Sequence, residues 1–193
     1  DLVSSRGLGD VYKRQAYTGV AAFNIGFGAK TACSAFRIFP NAAFKKELKG
    51  EQLRALEKQW ENVVLLIVDE VSFIGRAFFH RMHCRLQQAK RAYFAERGLD
   101  PEKSSGFGDI SMILVGDFGQ LEPIEDVSIC DDETTYATCP KPLWKLWGHA
   151  QAGRHLLQSF KEAIMLRRIH RSKGDLWWTE SCLRLRDLSL IHI

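Results

Sequence analysis

The sequence predicts an α/β fold, with a mainly parallel sheet and helices on both faces, and three observations carry that prediction. Val63 to Glu70 reads VVLLIVDE, an unbroken apolar run, mostly β-branched, that ends in two acids. Ile110 to Val115 reads ISMILV and leads into Gly116 and Asp117. Continuous apolar runs of this length are the habit of buried parallel strands. Between and beside them, apolar residues recur at the three-and-four spacing of helices that cover a sheet. Acids placed directly after such strands fall at the carboxyl edge of the sheet, where open α/β sheets hold their ligands. Two strands ending in acid at one edge point to a single site for a metal and a polyphosphate.

The remaining elements follow in chain order. Ala16 to Phe36 reads AYTGVAAFNIGFGAKTACSAF. Thr18 and Gly19 form a tight polar turn, and Val20 to Ile25 a short apolar segment that Gly26 and Gly28 end. Thr31 and Ser34, with nearby N–H groups and Lys30, have the chemistry to hold phosphate oxygens at a helix start. Leu53, Leu56 and Trp60 make one apolar stripe on a surface helix, with Gly50 at the turn before it and Glu51 in its first turn. Phe79, Met82, Leu86, Ala89 and Tyr93 predict a long amphipathic helix, whose Arg81, Arg85, Gln88, Lys90 and Arg91 are expected to face solvent. Gly98 to Gly108 is a loop. Gly116 to Ile124 reads GDFGQLEPI, with Gln120 suited to orient a water or read a terminal phosphate. Glu125 to Thr138 reads as an exposed acidic loop. Trp144, Leu146 and Trp147 open a packed segment, and Leu156 and Leu157 fit a short strand or helix. Ile164 to Leu166 is expected to be a strand, followed by the basic cluster Arg167, Arg168, His170, Arg171 and Lys173.

Composition narrows the class. At 193 residues, with 46% hydrophobic and 26% charged, the chain has enough apolar material for one well-buried domain. No apolar stretch approaches the ~20 residues of a membrane-spanning helix. No secretory signal or internal repeat is visible. The net charge of +4 is a mild basic bias, compatible with a nucleic-acid partner. The cysteine count of 5 is odd and contains no CxxC pair, which argues for reduced intracellular thiols. Cys130, Cys139 and His149 have zinc-ligand chemistry without zinc-motif spacing. His80, His83 and Cys84 are expected on a solvated helical face.

The two ends read as foreign. A buried strand should deliver the chain into Ala16, but Asp10, Lys13, Arg14 and Gln15 interrupt any apolar run. Residues 1–15 resemble translated sequencing-adaptor read-through, and residues 188–193, LSLIHI, resemble another such tail. Residues 16–187 are therefore expected to be the native part.

Four blocks, AYTGVAA with a downstream TACS, VDEVSF, GDFGQLEPI and LRRIHRS, occur in an order and spacing that resemble superfamily 1 DNA helicases. The closest resemblance is to the petite-integration-frequency (PIF) type, related to RecD and to the helicases of Helitron transposons. It covers Ala16 to about Asp187. It implies an incomplete RecA-like P-loop NTPase core from an ATP-dependent 5′ to 3′ DNA helicase of repair, recombination or telomere maintenance. It implies ATP as substrate and Mg²⁺ as cofactor, with single-stranded DNA and duplex junctions as partners. It also implies an intracellular setting, in nucleus or mitochondrion, and no membrane.

By the same resemblance, Asp69 binds Mg²⁺, and Glu70 acts as general base or water-positioner. Gln120 senses the γ-phosphate, Asp117 supports that block, and Arg171 neutralises charge on the transferring phosphoryl group. Thr18, Gly19 and Ser34 lie along the single-strand track. The sequence departs from the family pattern at Tyr17, Cys33, Phe73, Glu122 and Ser172. GxxxxGK[ST] is absent, so the phosphate-cradling loop and its lysine are missing from these residues, and the isolated chain is expected to be inactive or nearly so. The alternatives are a superfamily 1 RNA helicase and a degenerate ATPase-like domain kept for binding.

Overall fold

A computed structural model describes residues 30–39, 47–100, 106–131, 134, 137–166, 175, 177–178, 180–181 and 183–184, and the backbone of 12–16. Its centre is a parallel sheet of β1 (Tyr12–Ala16), β2 (Lys30–Thr31), β3 (Leu65–Asp69) and β4 (Ser111–Leu114), in the spatial order β2-β1-β3-β4. β3 pairs in register with both neighbours: Ala16 is level with Asp69, and Val68 with Leu114. β1 thus lies between two parallel partners although its sequence is YKRQA. Backbone pairing does not depend on side-chain polarity, so a polar sequence can still complete the ladder.

The helices are α1 (Ala32–Phe36), α2 (Gly50–Trp60), α3 (Arg76–Glu96) and α4 (Trp147–Gln158). Thr31 caps α1 by accepting the Ser34 N–H (3.3 Å), so its hydroxyl serves the helix start. α2 buries Leu56 and Trp60 and keeps its charges outward, as the stripe predicts. Leu66 and Val68, on one side of β3, are buried in the same core as Phe36, Leu56, Trp60, Phe79, Met82 and Leu86. Phe36 stacks on Trp60 with ring centroids 5.0 Å apart. Leu65 and Ile67, on the other side, are half-buried, and Val64 and Ile113 are exposed. The sequence predicts helices on both faces; among the described residues they cover the first.

α3 departs most from its sequence reading. Its apolar stripe is buried as expected, except that Phe94 replaces the exposed Tyr93 at the end. Its polar face is not solvated, because Arg85 is 1%, Gln88 4% and Lys90 5% exposed. The segment at Leu48 lies over Gln88, whose side-chain amide donates to Leu48 O (2.8 Å) and accepts from Leu48 N–H (3.1 Å). The Lys90 ammonium donates to Glu61 O (2.7 Å). Burial lowers the pKa of both Arg85 and Lys90. Buried polar groups persist when hydrogen-bonded. Arg91, by contrast, is exposed and meets Glu47 at 3.4 Å, a contact worth little in water.

The segment after β4 also differs from expectation. Rather than an exposed acidic loop, it folds back on α3 and buries Val127 and Ile129. Asp126 accepts hydrogen bonds from Ala77 N–H (3.2 Å) and Phe78 N–H (2.9 Å), two of the orphan donors in the first turn of α3. Gly75, the residue before that turn, makes no side-chain cap. Burial pushes the Asp126 carboxyl up, against these bonds, the Val127 N–H and Arg81. Trp144 lies on a 3₁₀ turn, Lys141–Leu146, that buries no residue, instead of opening a packed segment. Leu156 and Leu157 fall in α4, half-buried on the core. Ile164, Met165 and Leu166 form no strand and are at least 81% exposed. An apolar triplet becomes a strand only beside a partner backbone, and none pairs with it among the described residues.

Two stability predictions follow from these contacts. Asp126→Ala leaves two helix-start N–H groups unpaired and should cost about 1–3 kcal/mol in denaturant unfolding. At Gly153 an added Cβ would lie 2.0 Å from Arg76 O, so α4 crosses α3 where only a hydrogen fits. Gly153→Ala should therefore destabilise by about 1–3 kcal/mol or more, also read from unfolding midpoints.

Candidate nucleotide site

All four strands run parallel, so their carboxyl ends emerge at one edge. Asp69 ends β3 there, level with Ala16. On the opposite side of β3, Val115 N–H donates to Val68 O (2.8 Å) and Val115 O accepts from Val71 N–H (3.0 Å). The chain leaving β4 therefore stays bound to the chain leaving β3 for several residues. Gly116 makes this possible: a Cβ there would sit 2.8 Å from Val71 Cγ1 and 2.9 Å from Val71 N. Asp117 follows immediately, so Asp69, Glu70 and Asp117 share one edge.

Local geometry then fixes each group. Asp69 Oδ1 accepts the Glu70 N–H (2.9 Å). Glu70 itself is left-handed, φ 56° and ψ 45°, a conformation that costs a non-glycine residue about 1 kcal/mol or more. Both carboxylates are half-buried. Val71 to Phe73 continue as a 3₁₀ turn, and the Ser72 hydroxyl behind Glu70 is buried. After β4, Asp117 Oδ1 accepts the Gly119 N–H (3.0 Å) and Asp117 O accepts the Gln120 N–H (3.1 Å). This tight turn presents Gln120 as an exposed amide next to the acids' edge.

The backbone places Asp69, Glu70, Asp117 and the turn that carries Gln120 at one edge of the sheet, though among the described residues no three acids are grouped to hold a metal. Ser34 lies exposed on α1, one strand beyond β1. Thr18, Gly19 and Arg171 lie outside the described residues. The glycines of Gly116 to Ile124 read as permitting close backbone approach, and at Gly116 that approach joins the two strand ends. The sequence reading missed the left-handed turn at Glu70, which has no local signal. The basic face of α3 is not an open surface, because Arg85 and Lys90 are enclosed.

Comparison with known proteins bears on this edge. The chain is 26% identical over 171 residues to an ATP-dependent DNA helicase PIF1 of Saccharomyces cerevisiae, covering 89% of this chain and 17% of that protein. It is 23% identical over 177 residues to an ATP-dependent DNA helicase PIF1 of Candida albicans, again covering 89% of this chain and 17% of that protein. The chain thus spans about a sixth of the length of these curated relatives. A crystal structure of Pif1 helicase from Candida albicans superposes with a TM-score of 0.58 at 22% identity, covering 92% of this chain and 34% of that one. That likeness supports the RecA-like fold. The family model for PIF1-like helicase matches residues 5–152, more than half of the chain. Its span holds the β3 and β4 ends that build the acidic edge, and the chain belongs to the PIF1-like helicase family.

Proposed function

We propose that this chain is part of the first RecA-like domain of an ATP-driven motor that moves 5′ to 3′ along single-stranded DNA and opens duplex at junctions. The observation that carries the proposal is the shared edge: two acids after β3, a third after β4 and an exposed amide beside them. Family membership supports the same assignment.

Carboxylates have the chemistry for Mg²⁺, a hard cation that takes carboxylate oxygens and phosphate together. Asp69 would hold the ion, with Glu70 beside it. When bound, the ion neutralises charge on the phosphate oxygens of ATP. The chain's own groups account for the rest of the chemistry. The Glu70 carboxylate positions the attacking water and takes its proton as the water oxygen bonds to the γ-phosphorus. The bond from that phosphorus to the β–γ bridging oxygen breaks, giving ADP and phosphate. The Gln120 amide hydrogen-bonds to the γ-phosphate or the water, and Arg171 offsets charge on the phosphoryl group. Asp117 holds the turn that presents Gln120. Thr18, Gly19 and Ser34 contact the DNA backbone, which carries no sequence information. An intracellular setting, nuclear or mitochondrial, and work in repair or recombination belong to the same proposal.

GxxxxGK[ST], the sequence of the loop that cradles the β- and γ-phosphates, does not occur in these 193 residues. The chain alone should show no DNA-stimulated ATP hydrolysis. Hydrolysis by it that Glu70→Gln abolishes would overturn that statement. The coding sequence upstream of Ala16 should supply a glycine-rich loop ending in lysine and a hydroxyl residue. Continuous genomic coding for Leu2 to Gln15 would remove the foreign origin proposed for residues 1–15. In a protein extended to include such a loop and the second RecA-like domain, Glu70→Gln should lower kcat for ATP hydrolysis by about a hundredfold or more, with single-stranded DNA binding kept. Unwinding of RNA but not DNA duplexes would favour the RNA-helicase reading. A full-length gene lacking the loop would favour a binding module.

A further inference from the structure

α3 carries His80, His83 and Cys84 within two turns, and their ring and sulfur contacts run to other groups of the fold rather than to an open helical face. Phe107 N–H donates to His83 Nδ1 (3.0 Å), and burial lowers the pKa of that imidazole. His80 Nδ1 lies 2.7 Å from His149 Nδ1 on α4, and His80 Nε2 lies 3.6 Å from Cys84 Sγ. His80 therefore turns opposite ring nitrogens toward His149 and Cys84, so these three groups do not converge on one ion. Among the described residues, no set of three or more His, Cys, Asp or Glu is grouped to hold a metal.

The pattern has a different chemical sense. A bond between two Nδ1 atoms needs one donor and one acceptor. With His80 donating from Nδ1, its Nε2 is the bare nitrogen and accepts the Cys84 S–H. A nucleophile, a base and a third group that orients the base are then in line. Arg85, the next residue, is buried and interacts electrostatically with Cys84. Cationic neighbours stabilise a thiolate, and reactive cysteines sit in partly exposed electropositive settings. Cys84 is half-buried and so reachable by a small reagent.

We propose that Cys84 is a modification site, whose thiolate attacks small electrophiles and low-molecular-weight disulfides. The thiol proton passes to His80 Nε2, and the Cys84 sulfur bonds to one sulfur of the disulfide as its S–S bond breaks. The departing thiolate takes the proton back from His80, leaving a mixed disulfide on Cys84. No further oxidant is needed, because the disulfide is itself the oxidant. His149 is a positioning residue, acting through His80.

The test labels the full 193-residue chain at pH 7 with iodoacetamide, and separately with glutathione disulfide. Per-cysteine rates are read by mass spectrometry, native and in denaturant. Native Cys84 should react about five- to tenfold faster than the exposed Cys130, the gain expected when the thiolate fraction rises from a few per cent. The advantage should vanish in denaturant. It should also vanish in folded His80→Gln and fall in His149→Gln, with circular dichroism checking the fold. Native Cys84 reacting no faster than Cys130 overturns the proposal, with or without variants. An advantage that survives denaturation overturns it too, because the cause would then be local sequence.

Discussion

The in-register parallel pairing of β3 with β1 and β4 is the constraint on which the rest depends. It sets two things at once. Leu66 and Val68 face the core only in this register, since a slip of one residue turns every side chain of a strand to the other face. The same register places Asp69 level with Ala16 and brings the end of β4 alongside. A hydrophobic preference therefore aligns a polar edge. The acids need no attraction for one another to be neighbours; the buried face decides their position for them.

Around this sheet the fold relies on polar groups used internally. α3 packs between α2 and α4 and has Arg85, Gln88 and Lys90 of its polar side enclosed as well as its apolar stripe. Gln88 pairs with the backbone at Leu48 much as a neighbouring strand would, and Lys90 satisfies a carbonyl at the end of α2. Asp126 arrives from beyond β4 to complete the start of the same helix. Such contacts add little net energy each, but leaving any one partner unmatched in the interior is costly. They tie loops to a single arrangement, which is a matter of specificity more than of strength.

Much of this was legible in the sequence, and the rest failed for identifiable reasons. The runs at Val63 and Ile110 announced β3 and β4, because a buried parallel strand has few other ways to read. The stripe of α2 and the length of α3 were equally plain. What pattern could not show was what covers a face. Arg85, Gln88 and Lys90 look like a solvated side until the segment at Leu48 and the chain at Glu61 are laid over them. Asp126 looks like loop acidity until it meets α3, about 50 residues earlier in the chain. Ile164 to Leu166 carries the composition of a strand, but composition does not supply a neighbour. At the site, the acids and Gln120 were visible as residue types, while their closeness depends on Gly116 and on a twist at Glu70 that only the fold reveals.

That twist has an evolutionary reading. A backbone with φ near 56° suits glycine best, because it has no Cβ, and asparagine next, because its short polar side chain can hydrogen-bond locally. Foldability alone would thus favour replacing Glu70 and would be rewarded with a sturdier domain. A glutamate tolerated at that position marks a place where durability has been traded for a carboxylate, the kind of concession proteins make where something other than folding is being selected.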